Sequence, residues 1–321
     1  LAHWMKNGSS GFRLDVSDEL PDGFIREIRK RIKQDSDGEG VIVGEVWEDA
    51  SNKISYGSYR DFLLGNSHDS VMGYTFRDAL IGYLVGTYSA RDANHLLETY
   101  RENYPPEAHY CIMNLISSHD VPRAITCLAG SSDPGDRHTQ KQIFLSPEQK
   151  RRGLALMRLG YVFQLSYVGS PCLYYGDEVG MEGYRDPFNR RTYPWGQLFD
   201  EERAQLEFFR NFSNFRKANP VLKTGFYRTL IATDYLFVFE RTLSEDNIDF
   251  FGRRQNGPRR IVVAFNSGVT DICNFELEPS FSNAIERTAP DILSEGESIK
   301  NINGSLRIAL NPLEYVVYIE N

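Results

Sequence analysis

The sequence lacks several features that would point to other classes of protein. It has no apolar run of the ~18 residues that a membrane-spanning helix needs, so no membrane segment is predicted. It contains no GxSxG segment, which argues against a serine nucleophile. Its six histidines include no pair at the spacing of metal ligands, which argues against metal-assisted hydrolysis. No metal site is therefore predicted.

Cysteines are also few, and basic residues are outnumbered by acidic ones. The four cysteines (Cys111, Cys127, Cys172 and Cys273) lie far apart with no CxxC pair, a pattern typical of reduced thiols and of a cytoplasmic protein. Lysine and arginine number 36 against 44 aspartates and glutamates, which gives a net charge of −8. That charge argues against a nucleic acid or an anionic membrane as partner.

What the sequence does have is a series of short β-type runs, most of them followed by a helical pattern. The predicted strands are Phe12–Val16, Val41–Trp47, Ser70–Tyr74, Cys111–Ile116 and Pro171–Tyr175. The predicted helices are one that begins after Pro21 and carries Phe24, Ile25, Ile28 and Ile32 on one face, followed by Asp78–Val85, Asp92–Tyr100, Pro147–Tyr167 and Glu201–Lys217. Strands that alternate with helices predict parallel βα units in an α/β fold.

The pattern changes near Asn219. The segments Tyr235–Glu240, Arg260–Asn266 and Glu314–Ile319 are rich in β-branched and aromatic residues, and Gly, Asn, Asp and Pro separate them. Such spacing predicts an antiparallel β-sandwich. We therefore expect two domains, an α/β domain over residues 1–218 and a β-sandwich over residues 219–321.

Asp15 stands at the end of the first predicted strand, together with Arg13. In a strand, Arg13 and Asp15 share one face, while Phe12, Leu14 and Val16 share the other. A charged pair on an otherwise apolar strand is costly to bury unless the partners satisfy each other. These two residues therefore form either a structural ion pair or part of a functional site.

Glu45 and Asp120 occupy similar positions at the ends of later strands. Glu45 is a lone carboxylate late in an apolar run, a setting that favours the protonated form that a general acid needs. Asp120 follows His119, directly after an apolar strand. Taken singly, each also fits an ordinary strand-end or loop residue. Together, three carboxylates at strand ends indicate glycoside hydrolysis, because barrel enzymes place their chemistry there and glycosidases use a carboxylate pair.

Four segments resemble motifs of glycoside hydrolase family 13, the α-amylase family. They are Gly11-Phe12-Arg13-Leu14-Asp15, Gly44-Glu45-Val46-Trp47, Ser118-His119-Asp120 and Gly169-Ser170-Pro171-Cys172-Leu173-Tyr174-Tyr175-Gly176-Asp177-Glu178. In order, they are similar to the family's nucleophile strand, acid/base strand, third carboxylate and last barrel strand. The wider sequence is most similar to neopullulanases, cyclomaltodextrinases and amylopullulanases. The resemblance implies an α/β fold that is part of a TIM (β/α)8 barrel, strands four to eight, followed by the all-β sandwich.

The resemblance also implies a mechanism. Asp15 would attack the anomeric carbon of an α-glucan while Glu45 protonates the glycosidic oxygen, and Glu45 would then activate the water that hydrolyses the glycosyl-enzyme. This retaining mechanism requires the two carboxyl groups to lie only ~5–5.5 Å apart. Arg13 is expected to hold Asp15 ionised, and His119 and Asp120 to bind sugar hydroxyls more tightly as the oxocarbenium-like state forms.

Four further residues are candidates for substrate binding. Asp186 and Arg190 match positions that line the glucose in similar enzymes, although a loop salt bridge explains them equally well. Trp47 and Tyr56 are either stacking platforms for sugar rings or packing residues. The resemblance implies no required cofactor and allows for calcium by family analogy.

By the same resemblance, the chain begins just before the fourth of eight barrel strands. The Asp-x-x-x-Asn-His segment that belongs to the earlier strands is not found. We therefore expect an N-terminally truncated chain with impaired activity, because its substrate pocket would lack one wall. We also expect self-association through the exposed half-barrel.

Two other functions remain open at this point. One is a non-catalytic carbohydrate-binding or scaffolding protein on the amylase fold, and the other is a transglycosylase or isomerase of the same family. The linkage preference is open as well. Val16-Ser17-Asp18-Glu19 stands where neopullulanase-like enzymes often read Val-Ala-Asn-Glu, a stretch that bears on the choice between α-1,4 and α-1,6 bonds.

Overall fold

The structure is a computed structural model that describes residues 1–131, 133–196, 198–277, 285–286, 300–302 and 305–320, so part of the predicted sandwich lies outside the described residues. The helices are α1 (Ala2–Lys6), α2 (Asp22–Asp35), α3 (Tyr74–Val85), α4 (Ala90–Asn103), α5 (Pro106–Cys111), α6 (Ala124–Leu128), α7 (Arg137–Gln142), α8 (Pro147–Ser166), α9 (Asp200–Ala218) and α10 (Val221–Thr224). Short 3-10 helices cover Ser17–Glu19, Asp177–Val179 and Phe188–Arg190.

The strands are β1 (Gly11–Leu14), β2 (Val41–Gly44), β3 (Ile54–Ser55), β4 (Ser58–Tyr59), β5 (Ser70–Gly73), β6 (Met113–Leu115), β7 (Ser170–Cys172), β8 (Phe226–Ala232), β9 (Leu236–Thr242), β10 (Arg260–Asn266), β11 (Cys273–Leu277), β12 (Ile285–Glu286), β13 (Lys300–Ile302), β14 (Ser305–Leu310) and β15 (Glu314–Glu320). Contacts divide the chain into two compact units. The first unit comprises Leu1–Asp78, His95–Leu115 and Gly169–Cys172, and the second comprises Ala79–Asn94, Ile116–Val168 and Leu173–Asn321.

The first unit contains a five-stranded sheet in the order β1–β2–β5–β6–β7. Every neighbouring pair in it is parallel. The spatial order follows the chain order apart from the β3–β4 hairpin, as expected for successive βα units. Because the carboxyl ends of parallel strands meet at one edge of a sheet, this topology brings the residues that follow β1 and β2 together.

Helix α2 covers part of this sheet with one apolar face. Ile25, Ile28 and Ile32 recur at helical spacing, are buried, and belong to one core cluster with Ile42 of β2. Phe24 was predicted for the same face but is exposed, because helical positions turn by about 100° per residue and Phe24 lies at the edge of the arc that the three isoleucines occupy.

Helix α8 is the longest helix of the second unit. It begins with a capping box: the Ser146 hydroxyl accepts a hydrogen bond from the Gln149 amide at 3.2 Å, and the Gln149 side chain accepts one from the Ser146 amide at 3.0 Å. Pro147 occupies the first helical position, where its missing N–H costs nothing. Buried residues on all sides make α8 a core helix.

The second unit also contains the antiparallel sheets. One has the order β12–β15–β10–β9–β8 and the other the order β11–β14–β13, with every pair antiparallel. Apolar residues from both sheets form one core cluster, which fits a sandwich: Leu236, Val238, Val262, Ala264, Phe275, Leu277, Ile308, Leu310, Val316 and Tyr318.

The observed elements differ from the predicted ones mainly at their ends. β1 ends at Leu14 rather than Val16, and β2 ends at Gly44 rather than Trp47, because the chain turns away from the sheet at these points. Helices α1, α5, α6, α7 and α10 were not predicted, since helices of four to six residues show too little periodicity to detect. None of the described helices has the length and apolar character to cross a bilayer.

Candidate active site

The guanidinium of Arg13 joins two of the predicted catalytic carboxylates. Its Nη1 contacts Asp15 Oδ1, and its Nη2 lies 2.8 Å from Glu45 Oε1. Both carboxylates therefore bind terminal nitrogens of the same guanidinium, which keeps them close together. Asp15 is open to solvent, with 74% of its side chain exposed, whereas Glu45 is buried at 5%.

Glu45 has a more polar setting than the apolar strand predicted. Its Oε1 is in the ion pair with Arg13, and its Oε2 accepts a hydrogen bond from the backbone amide of Val16 at 2.8 Å. The sequence correctly indicates a carboxylate shielded from solvent, but it does not reveal that both oxygens are engaged by donors. A buried carboxylate needs such partners, because an unpaired one is costly to desolvate.

The turn that carries these donors has an unusual backbone. Val16 has φ 44° and ψ 55°, a left-handed conformation that is strained for a β-branched residue. The Ser17 amide donates to the Glu45 carbonyl at 3.1 Å, and the Glu45 amide donates to the Leu14 carbonyl at 3.0 Å. These two hydrogen bonds between the turn and Glu45 hold the turn in place. Val16 is therefore partly exposed and does not lie on the apolar face for which it was predicted.

Trp47 packs face to face on the buried ring of Tyr74. The ring centroids are 4.2 Å apart with an interplanar angle of 7°, and 43% of Trp47 is exposed. A ring fixed from behind and open in front is suited to stack on a sugar. Tyr56, the other predicted platform, is 77% exposed on the β3–β4 hairpin and donates its hydroxyl to Glu19.

In the second unit, the structure brings together four of the predicted residues. His119 Nε2 lies 3.1 Å from Asp120 Oδ2, and Arg190 Nη2 lies 3.5 Å from Asp120 Oδ1. Arg190 Nε also lies 2.8 Å from Asp186 Oδ1 and donates to the His119 carbonyl at 3.1 Å. The Asp186–Arg190 salt bridge that the sequence allowed is thus present, and it extends to Asp120.

Asn189 is a residue of this cluster that the sequence did not reveal. It is fully buried, and its Nδ2 donates to the carbonyls of Ser118, His119 and Val121 at 3.3, 2.8 and 2.8 Å. These are the backbone atoms of the loop that carries Asp120. An asparagine in a loop is ordinary in sequence, so no signal marked it.

A buried ion pair lies next to this cluster. Arg123 Nη1 is 3.1 Å from Asp177 Oδ1, Arg123 Nε donates to the Asn189 carbonyl at 2.9 Å, and the guanidinium lies over the ring of Tyr174 at 4.2 Å. Burial raises the pKa of Asp177 to about 6, although the charge of Arg123 opposes the rise. Asp177 lies in a quoted motif, but its partner Arg123 was not predicted.

Among the described residues, no group of three or more histidine, cysteine, aspartate or glutamate side chains is arranged to hold a metal ion. A calcium ion takes six to eight oxygen ligands. No calcium site built on such side chains is therefore seen among the described residues.

Comparisons with known proteins show what the chain is similar to in sequence and in fold. The family model of the α-amylase catalytic domain matches residues 1–220. Amylopullulanase of Thermoanaerobacterium thermosulfurigenes is 31% identical over 330 residues, which cover 99% of this chain and 16% of the relative. Neopullulanase 2 of Thermoactinomyces vulgaris is 30% identical over 317 residues, which cover 98% of this chain and 46% of the relative.

Among solved structures, a debranching enzyme of Nostoc punctiforme is similar, with a TM-score of 0.75 and 25% identity. The match covers 99% of this chain and 59% of that one. The predicted fold class, part of a (β/α)8 barrel followed by a β-sandwich, is confirmed by these matches. The chain spans less than half the length of both curated relatives.

Proposed function

The chain belongs to the α-amylase family, and from that membership we propose that it hydrolyses α-glucosidic bonds with retention of configuration. The substrates are starch-type glucans, pullulan or cyclodextrins, with α-1,4 or α-1,6 linkages. The proposal is supported by the names of the similar proteins, an amylopullulanase and a neopullulanase.

The observation that carries the proposal is the single guanidinium that binds both Asp15 and Glu45. Retaining glycosidases need a nucleophilic carboxylate and an acid/base carboxylate ~5–5.5 Å apart, and a shared Arg13 favours such a short separation. Asp15 is the nucleophile in this proposal, because it is exposed to an approaching sugar. Arg13 contacts its Oδ1 and orients the carboxylate for attack.

Glu45 serves as the acid and then as the base. One oxygen lies in an ion pair with Arg13, and the other accepts a hydrogen bond from the Val16 amide. Each oxygen keeps a further lone pair, so Glu45 can carry the proton for the leaving oxygen without losing either partner. After the sugar is transferred to Asp15, the carboxylate form of Glu45 is ready to take a proton from the attacking water.

Asp120, His119, Asp186 and Arg190 bind hydroxyl groups of the sugar in this proposal. Their ion-pair network is partly exposed, so a sugar can replace some of its contacts. Trp47 supplies a stacking surface, which the ring of Tyr74 holds in place.

Further parts of the proposal concern the chain as a whole. Residues 1–218 form the barrel part and residues 219–321 form the sandwich domain. The chain self-associates in this proposal. The support is that β1 and β7 are the outer strands of the described parallel sheet, and outer strands can pair with another chain. It acts in the cytoplasm, as its scattered cysteines indicate. The chemistry uses the carboxylates of Asp15 and Glu45 and needs no organic cofactor.

The test is release of reducing sugar from pullulan, cyclodextrin and soluble starch by the wild-type chain, Asp15→Asn and Asp200→Asn. Asp200 is a matched control, because it is an aspartate with 96% of its side chain exposed. We expect Asp15→Asn to lose about 10³-fold or more of the rate and Asp200→Asn to keep it. Equal rates in all three proteins would overturn the proposal. Transfer products without net hydrolysis would instead indicate a transglycosylase.

A further inference from the structure

Ser17 and His68 form a buried hydrogen-bonded pair beneath the turn that follows Asp15. His68 Nε2 lies 3.1 Å from Ser17 Oγ, and Ser17 Oγ donates to the Leu14 carbonyl at 3.1 Å. The carbonyl can only accept, so the hydroxyl hydrogen belongs to that bond. The Ser17 oxygen must then accept from His68, which assigns the proton of the neutral imidazole to Nε2.

Ser17 is joined directly to Glu45 and to the strained turn. Its amide donates to the Glu45 carbonyl, and the preceding residue, Val16, donates its own amide to Glu45 Oε2 at 2.8 Å. A left-handed Val16 persists only if its surroundings hold it there. The position of Ser17 therefore decides where the Val16 amide points, and through it where the Glu45 carboxylate lies.

The His68 ring is fixed on several sides. A Cβ atom on Gly44 would lie 2.7 Å from the imidazole, so a residue without a side chain is required at the end of β2. The ring of Phe62 meets His68 edge-on at 5.3 Å, and the His68 amide donates to the Phe62 carbonyl at 3.1 Å. Because the ring is fixed by these contacts, its Nε2 holds the Ser17 hydroxyl in one position.

We propose that His68 is a positioning residue for the catalytic pair: its Nε2–H holds Ser17, and Ser17 holds the turn that aligns Asp15 and Glu45. The inference rests on the proposed function for its catalytic consequence. Its structural part, the alignment of the Val16 amide on Glu45, can be measured without any substrate.

The surroundings keep His68 neutral. Burial is the main cause that lowers the pKa of His68 to about 4, and the charges of Arg60 and Arg29 also lower it. The Phe62 carbonyl and Asp69 act in the opposite direction but are outweighed. A second proton would place a charge in the core, where His68 Nδ1 makes no well-formed hydrogen bond to any described residue. His68 therefore donates to Ser17 across the neutral pH range.

Loss of the pair should not unfold the segment, because Arg60 holds it independently. Arg60 donates to the carbonyl of Asp18 at 2.7 Å and pairs with Asp22 at 2.6 Å. A change at His68 is thus expected to alter the first residues of the turn while the remainder stays in place.

The experiment compares His68→Phe, His68→Gln, Ser17→Ala and the surface control His95→Phe with the wild-type chain. Phenylalanine keeps a ring but removes the donor, whereas the amide of glutamine restores a donor near the Nε2 position. Amide hydrogen exchange is followed by NMR at Val16 and at Ile42, whose amide bonds to Asp69 instead. Initial rates are measured on the substrate that the wild-type chain cleaves fastest.

We expect His68→Phe and Ser17→Ala to speed exchange at Val16 roughly tenfold, the equivalent of one lost hydrogen bond, with Ile42 unchanged. We expect kcat to fall about 10–100-fold with little change in KM. A double variant that combines His68→Phe with Ser17→Ala should be no worse than either single variant, because both changes break the same contact. His68→Gln should recover most of both losses, and His95→Phe should match the wild type.

Unchanged exchange at Val16 in His68→Phe would overturn the proposal, as would equal losses in His68→Phe and His68→Gln. If the wild-type chain cleaves no α-glucan, the proposed function fails by itself. The exchange results then still decide whether His68 positions the turn on Glu45.

Discussion

Asp177 should make the stability of the chain fall as the pH rises through the mildly acidic range. Its carboxyl is fully buried against Arg123, and burial raises its pKa from an ordinary value of 3.8 to about 6. Between these two values the folded chain binds more protons than the unfolded chain, so unfolding becomes easier as the pH increases. A difference of about two pH units corresponds to about 3 kcal/mol.

The perturbation is Asp177→Asn, which keeps the shape of the side chain but cannot titrate. Urea unfolding followed by circular dichroism between about pH 4 and pH 7 gives the free energy of unfolding at each pH. Every other group, including His68, titrates in both proteins and cancels in the difference. The wild-type chain should lose about 3 kcal/mol relative to the variant over this range. A difference that is constant with pH would refute this reasoning.

Three further changes test other parts of the site. Asn189→Ala should lower stability by about 2–3 kcal/mol, because it leaves buried carbonyls unpaired, and it should also lower kcat/KM. The control Asn52→Ala, at an exposed asparagine, should change neither quantity. An unaltered melting temperature in Asn189→Ala would contradict the role of Asn189. Arg13→Met should abolish turnover and destabilise the chain by about 1–3 kcal/mol, because the buried Glu45 carboxylate loses a partner. Retained turnover would show that Arg13 does not serve the pair. Trp47→Ala should raise KM about 5–30-fold, as expected for one or two kcal/mol of lost stacking, while kcat is kept; an unchanged KM would exclude stacking.

Much of the fold follows from short-range patterns in the sequence. The five parallel strands appear as apolar runs, and α2 appears through the spacing of Ile25, Ile28 and Ile32. The strand ends are predicted less well, because tertiary hydrogen bonds decide them. Val16 looks like a strand residue by its β-branched side chain, but the bonds from its turn to Glu45 override that preference.

Some residues of the candidate site can likewise be predicted from the local sequence, and others cannot. Asp15, Glu45 and Asp120 stand out in the sequence because acidic residues at the ends of apolar strands are unusual. Asn189 and His68 do not, because the hydrogen bonds that give them their roles, from Asn189 to His119 and between His68 and Ser17, join residues more than fifty positions apart. No local pattern encodes which carbonyl or hydroxyl a buried side chain will reach.

The central claim is that Asp15 forms a covalent bond to the sugar and that Glu45 acts as its acid and base. The most direct test is to treat Glu45→Gln with an α-glucosyl fluoride, whose leaving group needs no acid, and to locate the modified peptide by mass spectrometry. The variant should accumulate a glycosyl-enzyme with the sugar on Asp15, because the base that hydrolyses it has been removed. A variant that stays unmodified while the fluoride is consumed, or that carries the sugar on another residue, would contradict the account.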